Sequence, residues 1–155
     1  LPPQLYDRPH EDELQPNRDR MEEQVIHYCV AHGIPNIATC RGMQYINVMF
    51  GGKLWYHPKL PVNRTRGVDH QVWLVKEQRN IWVNNYHSDC IYEEGLASCF
   101  EPLAIDRENH VVEAYGSDEM KILALQWHPE RRFETANAYE ETRKIILDFI
   151  QKYVK

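Results

Sequence analysis

With 155 residues, 43% of them hydrophobic and 26% charged, the chain has a globular composition and is long enough to bury roughly two-thirds of its unfolded surface around one core. A formal charge of −5, with Arg131-Arg132 as the only dense basic spot, argues against a nucleic-acid partner, which needs a basic stripe. No apolar run approaches the roughly 20 residues of a membrane span and the N-terminus is not signal-like, so no membrane association is expected.

The opening segment, Leu1-Pro2-Pro3 through Pro16, is rich in proline and charge and reads as a loop entered midway. A helix follows. Asn17 is its candidate cap, Met21, Val25 and Cys29 recur at helical spacing with Ile26 and Val30, and Gly33 stands where a helix-ending glycine belongs. Ile34 to Thr39 is a short, largely apolar run with the character of a buried strand. It leads straight into Cys40-Arg41-Gly42-Met43-Gln44 and a second helical stretch (Met43, Ile46, Asn47, Phe50) closed by Gly51-Gly52. Strand, sharp turn and helix make a step that builds parallel sheets.

Downstream the pattern shortens. His70 to Val75 and Asn80 to Asn84 read as strands, as do Val111 to Tyr115 and Lys121 to Trp127, with Gly116-Ser117-Asp118 as the expected hairpin turn of the second pair. From about Asn137 a C-terminal helix carries Tyr139, Thr142, Ile146, Phe149, Ile150 and Tyr153 on one face. The expected class is one α/β domain over residues 1–155, with a mostly parallel central sheet flanked by helices and an antiparallel accessory region.

The four cysteines (Cys29, Cys40, Cys90, Cys99) are irregularly spaced and form no CxxC pair, which favours free thiols in a cytoplasm. Asn63-Arg64-Thr65 matches a glycosylation triplet, but such triplets arise by chance. Cys40 differs from the other cysteines in its position. At a strand-to-helix junction, unpaired N–H groups and the helix dipole favour a thiolate. Small flanks, Ala38 and Gly42, permit the tight turn of a nucleophile elbow, and the N–H of Arg41 would serve as an oxyanion donor. The bland alternative is a small buried hydrophobe, as cysteines often are. A thiol nucleophile needs a base, and a base needs an orienting group. Gln126-Trp127-His128-Pro129-Glu130 supplies both directly after a strand, where an open α/β sheet presents its site. His10, His27, His32 and His110 have no such context. His87 with Cys90 makes half a metal pattern without a partner pair, so no metal is expected.

Together, Cys40-Arg41-Gly42-Met43-Gln44 with Asn47 and Gly51-Gly52, and Trp127-His128-Pro129-Glu130, resemble the class I glutamine amidotransferases, and within them the γ-glutamyl hydrolase (peptidase C26) branch. Asn17 through Glu22, His70-Gln71-Val72 and Val83 through His87 match further stations, over essentially residues 1 to 150. The resemblance implies a flavodoxin-like fold without cofactor, and Cys40, His128 and Glu130 as nucleophile, base and orienting carboxylate. It implies that Gln44, Asn85, Tyr86 and His87 line a γ-glutamyl pocket. His70 then faces the leaving group, or is a half-buried strand histidine.

Ala38 replaces the family's usual glycine, which matters only if that position needs a positive φ. The family's N-terminal strands and the turn carrying its second oxyanion N–H precede the position at which this chain starts, so a complementing N-terminal segment is expected. Trp-His-Pro-Glu-Arg-Arg and Val-Asn-Asn-Tyr-His are similar to the branch that hydrolyses γ-glutamyl-CDP-amidate, with Arg131 and Arg132 suited to a diphosphate or else a solvated pair. The rivals are a γ-glutamyl-GABA hydrolase, a glutaminase feeding ammonia to a synthetase partner, and a non-catalytic relative.

Overall fold

In the computed structural model, which describes residues 16–55 and 65–154, the first helix, α1, spans Pro16–Ala31. It starts one residue before the cap suggested by Asn17, with proline in the first turn, where its missing N–H is not needed. The opening loop and most of the Asn63-Arg64-Thr65 triplet lie outside the described residues. Gly33, at φ 64, ends the helix as expected: its N–H bonds to Val30 O at 3.3 Å and that of Ile34 to Cys29 O at 2.8 Å, the paired bonds of a Schellman motif.

The buried face of α1 is not the one its apolar spacing indicates. Met21 and Val25 are 59% and 51% exposed, whereas Asp19 and Ile26 are buried. Asp19 and Glu22 turn inward because both pair with the guanidinium of Arg41, Glu22 at 2.9 Å and Asp19 closer still. Breaking a buried pair leaves an uncompensated charge and typically costs about 3–5 kcal/mol. Asp19→Ala is therefore expected to destabilise the fold by roughly 3 kcal/mol, and Glu22→Ala, at the more exposed partner, by less. Urea unfolding of the two variants checks this order.

The strands are β1 (Asn36–Thr39), β2 (His70–Leu74), β3 (Arg79–Val83), β4 (Glu101–Asp106), β5 (Val111–Ser117) and β6 (Ile122–Leu125), joined into one sheet in the order β1-β6-β5-β4-β2-β3. β1 runs parallel to β6, with Thr39 opposite Leu125; the remaining ladders are antiparallel. The class is α/β as expected. Among the described residues its parallel part is the single β1–β6 ladder, and the antiparallel part is larger than the sequence suggested.

Two details correct the sequence expectations. β4 has no clear period in sequence, because Glu101, Pro102 and Asp106 interrupt it, yet it pairs with β5 through a shift in register. Gly116 lies inside β5, not in the turn: a Cβ there would meet Ile122 O at 3.0 Å and Leu103 Cδ1 at 3.1 Å. The reversal instead uses Lys121, at φ 54.

Helices cover both faces of the sheet. α2 (Arg41–Met49) buries Met43 and Ile46 with Tyr115, Val112 and Ala124 on one side. α3 (Ala138–Tyr153) covers the other, packing Phe149, Ile145 and Ile146 on Val72, Leu123 and Leu125. Its inner face runs through Ala138 and Thr142, and Thr142 Oγ1 accepts the indole N–H of the fully buried Trp127 at 3.0 Å. Tyr139 and Ile150, expected inside, are 56% and 37% exposed. No described helix is long and apolar enough to cross a membrane.

Candidate active site

Cys40 stands where β1 meets α2. Its N–H continues the parallel ladder to Leu125 O at 2.8 Å, and its carbonyl accepts the N–H of Gln44 at 3.1 Å to open the helix. Between those two bonds its backbone is held at φ 49, ψ −110. A non-glycine residue kept in such a region stores about 1–3 kcal/mol of strain, here imposed from both sides by regular structure. Ala38 has no positive φ, so alanine carries no penalty there. A Cβ added at Gly42 would sit 3.6 Å from that of Ala38; the helix closes on the strand through two small residues.

The electrostatic expectation is reversed. Burial pushes the Cys40 thiol up, further than the N–H of Arg41 and the guanidinium of Arg131 hold it down; Glu130 adds to the rise and Arg66 opposes it. Desolvation outweighs the helix terminus. A thiol raised in this way would need a base before it could react as a nucleophile, and Cys99 is also raised by burial.

His128 and Glu130 follow β6, the parallel neighbour of β1, so they emerge at the same end of the sheet as Cys40. His128 Nδ1 lies 2.6 Å from Glu130 Oε1. The carboxylate accepts, so Nδ1 carries the proton and Nε2 is left as the basic nitrogen. Burial acts to raise the Glu130 carboxyl, but the His128 hydrogen bond, its own backbone and Arg131 together bring it below the usual carboxylate range. Asn84, fully buried, holds the His128 backbone from both sides: its Oδ1 accepts the His128 N–H at 2.9 Å and its Nδ2 donates to His128 O at 2.8 Å. The sequence places Asn84 at the end of a strand and within the Val83 through His87 station, with no role of its own. The available signal was a second asparagine directly after an apolar run.

The expected pocket residues divide. Tyr86 is half-buried beside His128, ring centroids 5.8 Å apart and nearly perpendicular. Arg131 lies over the Tyr86 ring at 4.7 Å and Arg66 at 5.9 Å, with Arg66 Nη1 also donating to Tyr86 O at 3.2 Å. No described carboxylate pairs with either guanidinium. Arg66 went unnoticed in sequence because it sits in an irregular stretch far from both motifs. Arg132 is exposed, and its carbonyl accepts from Asn84 Nδ2 at 3.4 Å.

Gln44, Asn85 and His87 are buried. His70, whose side chain is 12% exposed, joins His87 against the buried Glu113 carboxylate, at 3.7 and 3.5 Å. His70 is half-buried on β2 beside that carboxylate. An apolar groove of ≈ 250 Å³ lies on the opposite face, between the sheet and α3, and contains none of these residues.

The Peptidase C26 family model matches residues 1–130. The glutamine amidotransferase-like protein YvdE of Lactococcus lactis is 30% identical over 136 residues, which covers 77% of this chain and 56% of that protein. The γ-glutamyl-γ-aminobutyrate hydrolase PuuD of Escherichia coli is 28% identical over 154 residues, covering 83% and 59%. Among solved structures, a glutamine amidotransferase from Thermotoga maritima superposes with a TM-score of 0.62 at 18% identity, over 92% of this chain and 59% of that one. The chain therefore spans a little over half the length of the curated relatives it matches.

Proposed function

The chain belongs to the Peptidase C26 family, and from that premise we propose that it hydrolyses a γ-glutamyl amide through a thioester on Cys40. The observation that carries this reading is a cysteine held at φ 49 on a strand-to-helix elbow, beside a strand whose end presents a 2.6 Å His128–Glu130 pair. His128 Nε2 takes the Cys40 proton as sulfur attacks the γ-carbonyl carbon. The oxyanion points to the N–H of Arg41. As the C–N bond breaks, His128 returns its proton to the leaving nitrogen; it then takes one from water, whose oxygen cleaves the thioester and releases glutamate. Four free thiols support a reducing compartment such as the cytoplasm.

For the leaving group, the supported reading is an anion. Two guanidiniums, Arg66 and Arg131, meet on Tyr86 next to His128 with no ion-paired carboxylate among the described residues, in a chain whose formal charge is −5. Guanidinium forks pair well with phosphate and carboxylate. This suits γ-glutamyl-CDP-amidate, released as glutamate and cytidine diphosphoramidate, and also fits γ-glutamyl-GABA through its carboxylate. Arg132 stands apart from this pair, and Arg132→Ala is expected to leave the rates unchanged.

The test compares Arg66→Ala and Arg131→Ala on those two substrates and on an uncharged-leaving-group reference, γ-glutamyl-p-nitroanilide. One charge-assisted contact is worth about 10- to 150-fold in kcat/KM. A loss of that size on the nucleotide substrate, with the anilide spared, is expected. A uniform loss would assign the arginines to the glutamyl carboxylate common to all three. The same panel, extended to glutamine with and without a synthetase partner, separates the ammonia-donating and non-catalytic rivals.

A further inference from the structure

A chain of hydrogen bonds among buried side chains ends on the Cys40 sulfur, and its direction follows from one carbonyl. Asp89 O can only accept. It receives the Nδ1–H of His87 at 2.8 Å and the Nε2–H of Gln44 at 3.1 Å. Gln44 Nε2 has a second hydrogen, and this goes to Gln126 Oε1 at 3.2 Å. With its oxygen so engaged, the Gln126 amide turns its NH2 toward Cys40, where Nε2 lies 3.7 Å from Sγ. The two ends of an amide are distinguished by the network around them, and here the network has one consistent assignment. Gln126 is fully buried and Gln44 and His87 nearly so. The Gln126 backbone N–H bonds to Glu113 O at 2.8 Å, which fixes its Cα as an extension of the β5–β6 pairing.

We propose that Gln126 is a catalytic residue whose side-chain NH2 donates to the Cys40 sulfur and stabilises the thiolate, and that Gln44 is the positioning residue that sets which end of that amide faces the sulfur. The inference rests on Cys40 as the nucleophile. Its physical basis is that a buried thiolate loses most of its water, so preorganised neutral donors carry a large share of its stabilisation. A carboxamide provides this without titrating, and therefore at any working pH. Two donors then converge on the reacting sulfur, the Arg41 N–H from α2 and the Gln126 amide from the end of β6. Gln44 thereby has a role one bond behind the sulfur, beside the pocket role expected from sequence.

The experiment follows the rate of Cys40 alkylation by iodoacetamide against pH, located by peptide mapping, in the full chain and in Gln126→Met, Gln126→Glu and Gln44→Met. Cys40 keeps its charged and titratable neighbours in all of them: Arg131, Glu130, Arg66 and His128. In the methionine variants any shift therefore belongs to the amide, and in Gln126→Glu the added carboxylate contributes as well. Losing a donor to a charged sulfur is expected to raise the midpoint by roughly one to two pH units in Gln126→Met. Gln126→Glu, of the same shape, should raise it at least as far, because it sets an acceptor against the sulfur. Gln44→Met should give a smaller rise, since the amide becomes free to turn. Thermal melts identify the folded variants, and the glutamate variant carries the test if the methionine variant does not fold. An unchanged midpoint in either folded Gln126 variant overturns the proposal. Alkylation needs no substrate, so this outcome is independent of whether Cys40→Ala abolishes hydrolysis, which tests the nucleophile itself.

Discussion

Cys40→Ala is expected to lower γ-glutamyl amide hydrolysis by at least about 10⁴-fold, because removing a nucleophile removes the covalent route and leaves only what binding and fixed dipoles supply. Glutamate release under saturating substrate measures it, and residual activity above a tenth of wild type would reject Cys40. The backbone allows a second variant that separates strain from chemistry. Cys40 is held at φ 49, which alanine tolerates no better than cysteine, whereas glycine adopts positive φ freely. Cys40→Gly should be as inactive as Cys40→Ala yet more stable than it by about 1 kcal/mol in urea unfolding. Equal stabilities would mean that the elbow stores no strain.

His128→Ala should be nearly as severe, about 10³–10⁴-fold in kcat/KM, since one imidazole handles the proton in both half-reactions. Burial raises the Cys40 thiol, so the proposed reaction depends on His128 more than one with a preformed thiolate would. Glu130→Gln should be milder, on the order of 10²-fold, because the glutamate orients and stabilises the ring without touching substrate and its side chain is 61% exposed.

Glu130→Gln also has a pH signature. Burial acts to raise the Glu130 carboxyl, but its hydrogen bonds to His128 and the local backbone and the nearby charges of His128 and Arg131 hold it below the ordinary value. A carboxylate lowered on folding stabilises the protein above its unfolded pKa and loses that contribution as pH falls through the folded one. The stability gap between wild type and Glu130→Gln should therefore persist at pH 7 and close below the usual carboxylate range. A gap that widened in acid would mean that the carboxyl is raised, not lowered. Denaturant titrations at neutral and acid pH decide between the two.

Elements whose cause is local were legible from the amino-acid sequence alone. The glycine at Gly33 ends α1 because its own backbone preference permits the left-handed turn. The elbow at Cys40 was legible because an apolar strand runs without a break into a helical period. The α/β class followed from that same step. The 2.6 Å spacing of His128 and Glu130 was foreseeable, since only proline separates them and the chain has few ways to part them.

Other features were decided by contacts between residues far apart in sequence, which no local pattern encodes. β4 exists because β2 and β5 offer hydrogen-bonding edges on either side of it, despite a proline and two acids. α1 turns Asp19 and Glu22 inward because Arg41, more than a turn of helix and a whole strand away, needs both carboxylates. Arg66 and Arg131 meet only because Tyr86 lies between them. Gln44, Gln126 and Asp89 come from three separate segments, and the direction of their hydrogen bonds is defined only once the fold has buried them together. In the interior each donor must find an acceptor, since water is no longer there to supply one. That requirement, which acts only on the assembled fold, is what turns the Gln126 amide toward the Cys40 sulfur.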